Sequence, residues 1–90
     1  LFTAPENIEW LSGLDSILSY EHESRGFSKS FCKTCGSALP VINKSKTSLL
    51  VPAGSLNEFP ELQPQANIFT AEKSCWFQAG LNAENFVGFP

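Results

Sequence analysis

The chain has 90 residues, of which 42% are hydrophobic and 17% are charged, and its formal net charge at pH 7 is −3. This composition is typical of a folded globular chain, and the length predicts a single domain over residues 1–90. The acidic balance provides no basic stripe to neutralise phosphates, so we expect no nucleic-acid partner. No apolar run approaches the ~18–20 residues of a membrane span, and no charged segment followed by an apolar one has the pattern of a secretory leader. From these patterns we expect a cytoplasmic protein without a membrane partner.

Short strands joined by turns are predicted along the chain. Glycine and proline interrupt the sequence at the short intervals typical of such strands, and no helical i, i+3, i+4 apolar spacing lasts for more than about two turns. The sequence therefore predicts a mainly β fold of antiparallel sheets. The predicted strands are Asn7–Leu11, Ile17–His22, Lys29–Cys32, Ala38–Ile42, Ser48–Val51, Ala66–Phe69 and Cys75–Gln78.

Two segments between these runs are predicted as loops. Asn43–Thr47 joins two apolar strands and has the composition of a hairpin tip. Leu56–Gln65 contains two prolines and is interpreted as a loop with one helical turn at Asn57–Phe59. The eight phenylalanines are expected to fill the core of a small β domain rather than to stack on a ligand.

The most informative stretch is the cysteine pair Cys32 and Cys35, which Gly36 follows directly. Two cysteines separated by two residues can hold one metal ion from a tight turn, and glycine permits the positive φ that turns backbone N–H groups toward thiolate sulfurs. A redox dithiol would need a following helix, which Pro40 stops within two turns. The pattern favours a structural zinc knuckle, with a redox dithiol and a pair of ordinary buried cysteines as alternatives.

One chain supplies an incomplete ligand set for such a zinc. A structural zinc normally takes four protein ligands, and the cysteine pair provides two. The remaining candidates are Cys75, His22 and its neighbours Glu21 and Glu23. A lone histidine between two glutamates is typical of a solvated or hydrogen-bonded surface residue, and Cys75, in an apolar run, is expected to be a buried and inert thiol. The sequence assigns no catalytic residue.

Several segments together resemble a known family. They are Ile8–Tyr20, Arg25–Leu39 with its Phe-Cys-Lys-Thr-Cys-Gly core, Val51–Leu56, Pro64–Phe69 and Lys73–Phe77. In this order they resemble the glutathione-dependent formaldehyde-activating enzyme family, which also includes centromere protein V. The match covers essentially the whole chain, and the order of its elements is more specific than the cysteine pair alone.

The resemblance implies a β fold of packed antiparallel sheets around a structural zinc, with Cys32 and Cys35 as the later of its two cysteine pairs. It also implies a carbon–sulfur lyase that condenses formaldehyde with the thiol substrate glutathione to S-hydroxymethylglutathione, at a second zinc held by an upstream Cys-x-Cys-x-x-Cys cluster. Because Leu1–Phe31 contains no cysteine, we expect this chain to correspond to the C-terminal two-thirds of the family domain and to have no catalytic zinc site of its own.

Two further hypotheses follow from the same residues. The chain could be a non-enzymatic binding or assembly protein, a homodimer that completes a four-thiolate zinc with Cys32 and Cys35 of both copies or that covers an exposed sheet edge. A dithiol redox role, as in the methionine sulfoxide reductases, is disfavoured because Ser74–Trp76 follows no Arg-containing run.

Overall fold

The computed structural model describes residues 1–58 and 61–90. Within these ranges the strands are β1 (Phe2–Thr3), β2 (Ile17–Glu21), β3 (Ser28–Cys32), β4 (Ala38–Leu39), β5 (Val41–Ile42) and β6 (Leu49–Leu50). Short 3₁₀ turns lie at Leu14–Ser16, Ala53–Ser55 and Thr70–Glu72, and helix α1 is Phe77–Leu81. The predicted mainly β fold is confirmed. In the described ranges, no helix is long and apolar enough to cross a membrane.

The strands form two small antiparallel sheets. The first sheet has the order β2-β3-β4 and consists of sequential hairpins, with β2 paired to β3 over its whole length. The second sheet has the order β1-β6-β5, so the last strand lies in the middle. Leu49 of β6 therefore opposes Thr3 on one side and Ile42 on the other.

Pro40 separates the two sheets along the chain. The sequence predicts one strand over Ala38–Ile42, but the structure has β4 before this proline, in the first sheet, and β5 after it, in the second. Proline has no backbone N–H to donate to a ladder, so it interrupts sheet pairing. One predicted strand thus becomes the crossover that connects the sheets.

The hairpin tip predicted at Asn43–Thr47 is confirmed. The Asn43 side-chain Oδ1 accepts hydrogen bonds from the backbone N–H of Thr47 at 2.8 Å and of Ser48 at 3.0 Å. The Lys46 N–H donates to the Asn43 carbonyl at 2.9 Å, with Lys46 itself in the left-handed region at φ 58°. An asparagine amide that replaces missing backbone partners is a common way to close such a loop.

The predicted strand Asn7–Leu11 is wrong. The Asn7 N–H closes a turn to the Ala4 carbonyl at 3.1 Å, and its side chain donates to the Thr3 hydroxyl at 2.8 Å. These local hydrogen bonds form a turn where the sequence predicts the start of a strand. The strand at this end of the chain is β1, Phe2–Thr3, which the sequence pattern did not predict.

The predicted strands Ala66–Phe69 and Cys75–Gln78 are also wrong. Phe69 takes a left-handed conformation at φ 54°, which ends extended backbone, and residues 66–68 form no regular element. Helix α1 begins at Phe77, and the Gly80 N–H donates to the Trp76 carbonyl at 3.0 Å. The helical turn expected at Asn57–Phe59 ends outside the described residues, and the nearest 3₁₀ turn is Ala53–Ser55.

The chain divides into two compact units, Leu1–Phe59 and Pro60–Pro90. The first contains both sheets and the second contains α1. Among the residues described, the buried side chains are Leu49, at 2% exposure, and Ser30, at 6%. The expected phenylalanine core is wrong for the exposed members Phe2, Phe27, Phe69, Phe77, Phe86 and Phe89. The single domain over residues 1–90 stays a prediction.

Candidate functional site

The predicted cysteine pair lies at the turn of the β3–β4 hairpin. Cys32 is the last residue of β3, and its N–H donates to the Ser37 carbonyl at 3.0 Å. The Gly36 N–H donates back to the Cys32 carbonyl at 2.8 Å, which closes the turn between the two cysteines and β4. The Lys33 N–H donates to Ser16 at 2.9 Å, so the start of the turn is also tied to the residue that precedes β2.

Gly36 has the conformation that the sequence predicts for it, with φ at 74°. A Cβ atom built there would meet no heavy atom within 4 Å. The requirement for glycine is therefore conformational and does not come from crowding, because L side chains rarely adopt this backbone region. A turn of this kind brings backbone N–H groups around the sulfur of the first cysteine.

The two thiols differ in their surroundings. Both are free, with Cys32 half-buried and Cys35 exposed. The backbone N–H of Cys35, followed by that of Thr34, lowers the pKa of the Cys32 thiol, because N–H donors stabilise the thiolate. The Cys35 sulfur lies 3.2 Å from the Ser37 hydroxyl, to which it donates. A thiolate favoured by backbone donors suits metal binding, since the thiolate is the form that binds zinc.

The described part of the chain offers no third ligand beside this pair. Residues 1–58 and 61–90 contain no group of three or more His, Cys, Asp or Glu side chains that could hold a metal ion. His22 lies in the β2–β3 turn, where its Nδ1 accepts the backbone N–H of Ser24 and of Arg25, each at 3.2 Å. The half-buried histidine thus has a local structural role as a hydrogen-bond acceptor within its own turn.

Cys75 does not behave as the sequence suggests. We expected a buried thiol, but Cys75 is exposed in the unit Pro60–Pro90, two residues before α1 begins. The apolar run around it leads into helix α1 instead of forming a core strand, and Trp76 beside it is also exposed, at 68%.

The donor chemistry therefore fits one half of a structural zinc site. Two cysteines in a turn closed by a left-handed glycine provide two thiol donors, whereas a complete structural site needs four ligands. A three-cysteine catalytic centre does not fit the described residues, which contain three cysteines in total and no cluster of three.

Sequence reasoning found the cysteines and Gly36 but missed Ser37. Its carbonyl accepts from Cys32 and its hydroxyl accepts from Cys35, so it contacts both candidate ligands. The signal was present in the Cys-Gly-Ser order, because the residue directly after a left-handed glycine lies where the chain turns back toward the first strand, one residue before β4.

Comparison with known proteins gives one family. Residues 1–72 match the family model described as glutathione-dependent formaldehyde-activating enzyme. Comparisons with curated proteins and with solved structures find no match. The matched range contains both sheets and the cysteine turn, and it extends through the 3₁₀ turn Thr70–Glu72.

Proposed function

We propose, since this chain belongs to the glutathione-dependent formaldehyde-activating enzyme family, that it is a formaldehyde-activating-enzyme-like protein in which Cys32 and Cys35 bind a structural zinc. The observation that carries this proposal is the cysteine turn itself, with Gly36 at φ 74° and the pKa of the Cys32 thiol lowered by backbone donors. Zinc, when bound, would cross-link the β3–β4 turn to whatever supplies the other two ligands.

The activity associated with the family is carbon–sulfur lyase chemistry on formaldehyde and glutathione. We propose that the 90-residue chain has no catalytic zinc site of its own and does not catalyse this reaction alone. The support is the donor inventory: within residues 1–58 and 61–90, no third metal-binding side chain joins Cys32 and Cys35. A catalytic zinc usually needs three protein ligands and an open position.

Metal titration of the chain tests the zinc proposal. Cobalt(II) serves as a spectroscopic substitute for zinc, because thiolate coordination produces a charge-transfer absorption band. We expect this band for the wild-type chain and for Cys75→Ser, which is the matched control at a free, exposed cysteine. Cys32→Ser and Cys35→Ser should each lose it, since each removes half of the thiolate donors. Binding that survives both substitutions, or that depends on Cys75, would contradict the assignment.

An assay of the same protein tests the proposed lack of activity. Glutathione-dependent formaldehyde consumption is measured with zinc present, against the uncatalysed condensation as blank. We expect no turnover above the blank. Robust turnover that is lost in the Cys32→Ser variant would show that a catalytic centre lies at the cysteine turn, and would overturn this part of the proposal.

A second candidate function is a non-enzymatic homodimer, in which the Cys32 and Cys35 pairs of two copies would complete a zinc site with four thiolates. The observation that favours a dimer is that β2 is an edge strand of its sheet. In an antiparallel pair, every second residue of a strand directs its backbone N–H and C=O groups to the partner strand. The hydrogen bonds from His22 to Phe27 and from Lys33 to Ser16 show that the even-numbered residues do so here, and the backbone groups of the odd-numbered β2 residues therefore point away from β3. Such an edge can pair with a second copy.

Zinc content and molecular mass, measured on one sample, separate the two functions. The shared-site dimer predicts one zinc per two chains and dissociation to monomer when a chelator removes the metal. A dimer that persists without metal supports pairing through the β2 edge. A monomer with or without zinc at micromolar protein concentration would contradict the homodimer.

A further inference from the structure

The hydroxyl of Ser37 contacts a candidate zinc ligand without being one of the proposed ligands itself. The Cys35 thiol donates to this hydroxyl, and the sulfur and oxygen lie 3.2 Å apart. Ser37 directly follows Gly36, whose φ of 74° turns the chain back toward the first strand of the hairpin. This turn brings the serine side chain to the sulfur two residues before it.

The backbone of Ser37 has a different role from its side chain. The Ser37 carbonyl accepts the N–H of Cys32 at 3.0 Å, which ties the end of β3 to the returning chain. Any residue at this position supplies that carbonyl, so the hydroxyl is not needed to close the turn. Ser37 is also exposed, and replacing its side chain should therefore have little effect on packing.

The two sulfurs of the turn have different hydrogen-bond donors. The backbone N–H groups of Cys35 and Thr34 contact the Cys32 sulfur and lower the pKa of its thiol. The Cys35 sulfur instead has a side-chain hydroxyl beside it, that of Ser37. Backbone donors are present whatever the side chains are, whereas the hydroxyl at Cys35 requires a serine or threonine at position 37. The Ser37 side chain can thus do for the second sulfur what the backbone does for the first.

A serine hydroxyl can serve both the free and the metal-bound forms of a neighbouring cysteine. A thiol loses its proton when it binds zinc, because the thiolate is the ligand. The sulfur then has no proton to donate and can only accept, while the hydroxyl, which is both donor and acceptor, rotates its hydrogen toward the sulfur. A hydrogen bond to a thiolate is charge-assisted and stronger than the neutral one that it replaces, so the contact favours the metal-bound form.

We propose that Ser37 is a positioning residue for the zinc site, with a hydroxyl that donates to the metal-bound Cys35 thiolate and orients its sulfur. The proposal rests on the proposed function, because Ser37 acts through one of the proposed zinc ligands. Losing a group that hydrogen-bonds a metal ligand typically weakens metal binding by about 10–100-fold. Since Ser37 is exposed and water can replace part of the lost hydrogen bond, we expect the lower end, about tenfold.

Cobalt(II) titration of the full chain, freed of metal and kept at one protein concentration, measures this effect. Ser37→Ala should raise the dissociation constant about tenfold, and Ser37→Thr, which keeps a hydroxyl, should restore the wild-type value. Ser55→Ala is the matched control. It also removes a hydroxyl in a turn, but that hydroxyl donates to the Pro52 carbonyl at 2.6 Å, so the affinity should not change.

The position of the sulfur-to-cobalt charge-transfer band separates a direct contact from an indirect effect on the turn. A hydrogen bond lowers the energy of the sulfur lone pairs, so the transition requires more energy when the bond is present. We expect the band to shift to longer wavelength in Ser37→Ala and to keep its wild-type position in Ser37→Thr and Ser55→Ala. A substitution that only loosened the turn would reduce the amount of bound metal without this shift.

The possible results distinguish this inference from the proposed function. A wild-type chain without a thiolate–cobalt band would overturn both. A wild-type band with unchanged affinity or unchanged band position in Ser37→Ala would overturn the role of Ser37 alone, and so would equal losses in Ser37→Ala and Ser37→Thr. If Ser37→Ala does not fold, Ser37→Gly also removes the hydroxyl and should show the same loss of affinity and the same shift.

Discussion

Replacing Leu49 with alanine tests whether the two sheets share a core around one side chain. Among the described residues, Leu49 is the buried apolar side chain, at 2% exposure. The substitution removes three carbon groups, and burial of each contributes about 0.8 kcal/mol, for a transfer loss of about 2.4 kcal/mol. Leu49 also lines an open cleft between the two sheets of this unit, so the space left by the substitution joins that cleft and the added cavity penalty is small. We expect a loss of about 2–3 kcal/mol.

Urea unfolding of the full chain measures this loss. With a slope of about 1 kcal/mol per molar urea for so small a protein, the midpoint should fall by roughly 2–3 M. Leu14→Ala is the matched control: it lies in the same unit and is 62% exposed, so its effect should stay within about 0.5 kcal/mol. If Leu49→Ala does not fold, Leu49→Val should still show a loss of about 1 kcal/mol.

The result that would refute this reasoning is a loss below about 1 kcal/mol at Leu49, or an equal loss at Leu14. Either outcome would mean that the Leu49 side chain of β6 contributes little to the free energy of unfolding of the first unit, although β6 is the central strand of its sheet.

Two further predictions concern turns and use the same urea assay. Gly36→Ala should destabilise the chain by about 1 kcal/mol, because φ is 74° there, whereas Gly54→Ala should be neutral or stabilising. Both sites have open space for a Cβ atom, so equal effects of the two substitutions would exclude a conformational cause. Asn43→Ala removes the acceptor of two backbone N–H groups and should lower the free energy of unfolding by about 1 kcal/mol. The control Asn67→Ala should lower it by no more than about 0.5 kcal/mol. A loss at Asn43 as small as that of the control would mean that the hairpin tip closes without this side-chain amide.

The sequence predicts strands well where their partner is close along the chain. β2 and β3 form a hairpin, and β5 and β6 meet across a short asparagine loop, so pattern and turn chemistry agree there. β1 pairs with β6 from the far end of the unit, and no local signal in Phe2–Thr3 indicates this partner. The strand predicted at Cys75–Gln78 is wrong for the opposite reason, because local helical hydrogen bonds in α1 prevail over the β propensity of its aromatic residues.

The candidate metal ligands could be found from spacing, because both lie in one turn of six residues. The cleft between the two sheets, which Ser19, Glu21, Ser28 and Ser30 line on one side, could not be predicted. This polar side depends on the register between β2 and β3, and strand alternation alone suggests that the apolar Leu18 and Tyr20 face inward. In the structure these two side chains are exposed, at 48% and 52%, while Ser19 and Glu21 line the cleft. The face of a strand is set by tertiary packing, which a single sequence does not contain.

The placement of β6 between β1 and β5 also has a consequence for folding order. The hairpins of the first sheet and the β5–β6 hairpin close short loops, whereas the amino group of Leu1 bonds to Val51, 50 residues away. Closing a long loop has a larger entropic penalty than closing a short one. We therefore expect the three hairpins to form first and β1 to pair with β6 last, so that the pairing of β1 is also the first to break when this unit opens.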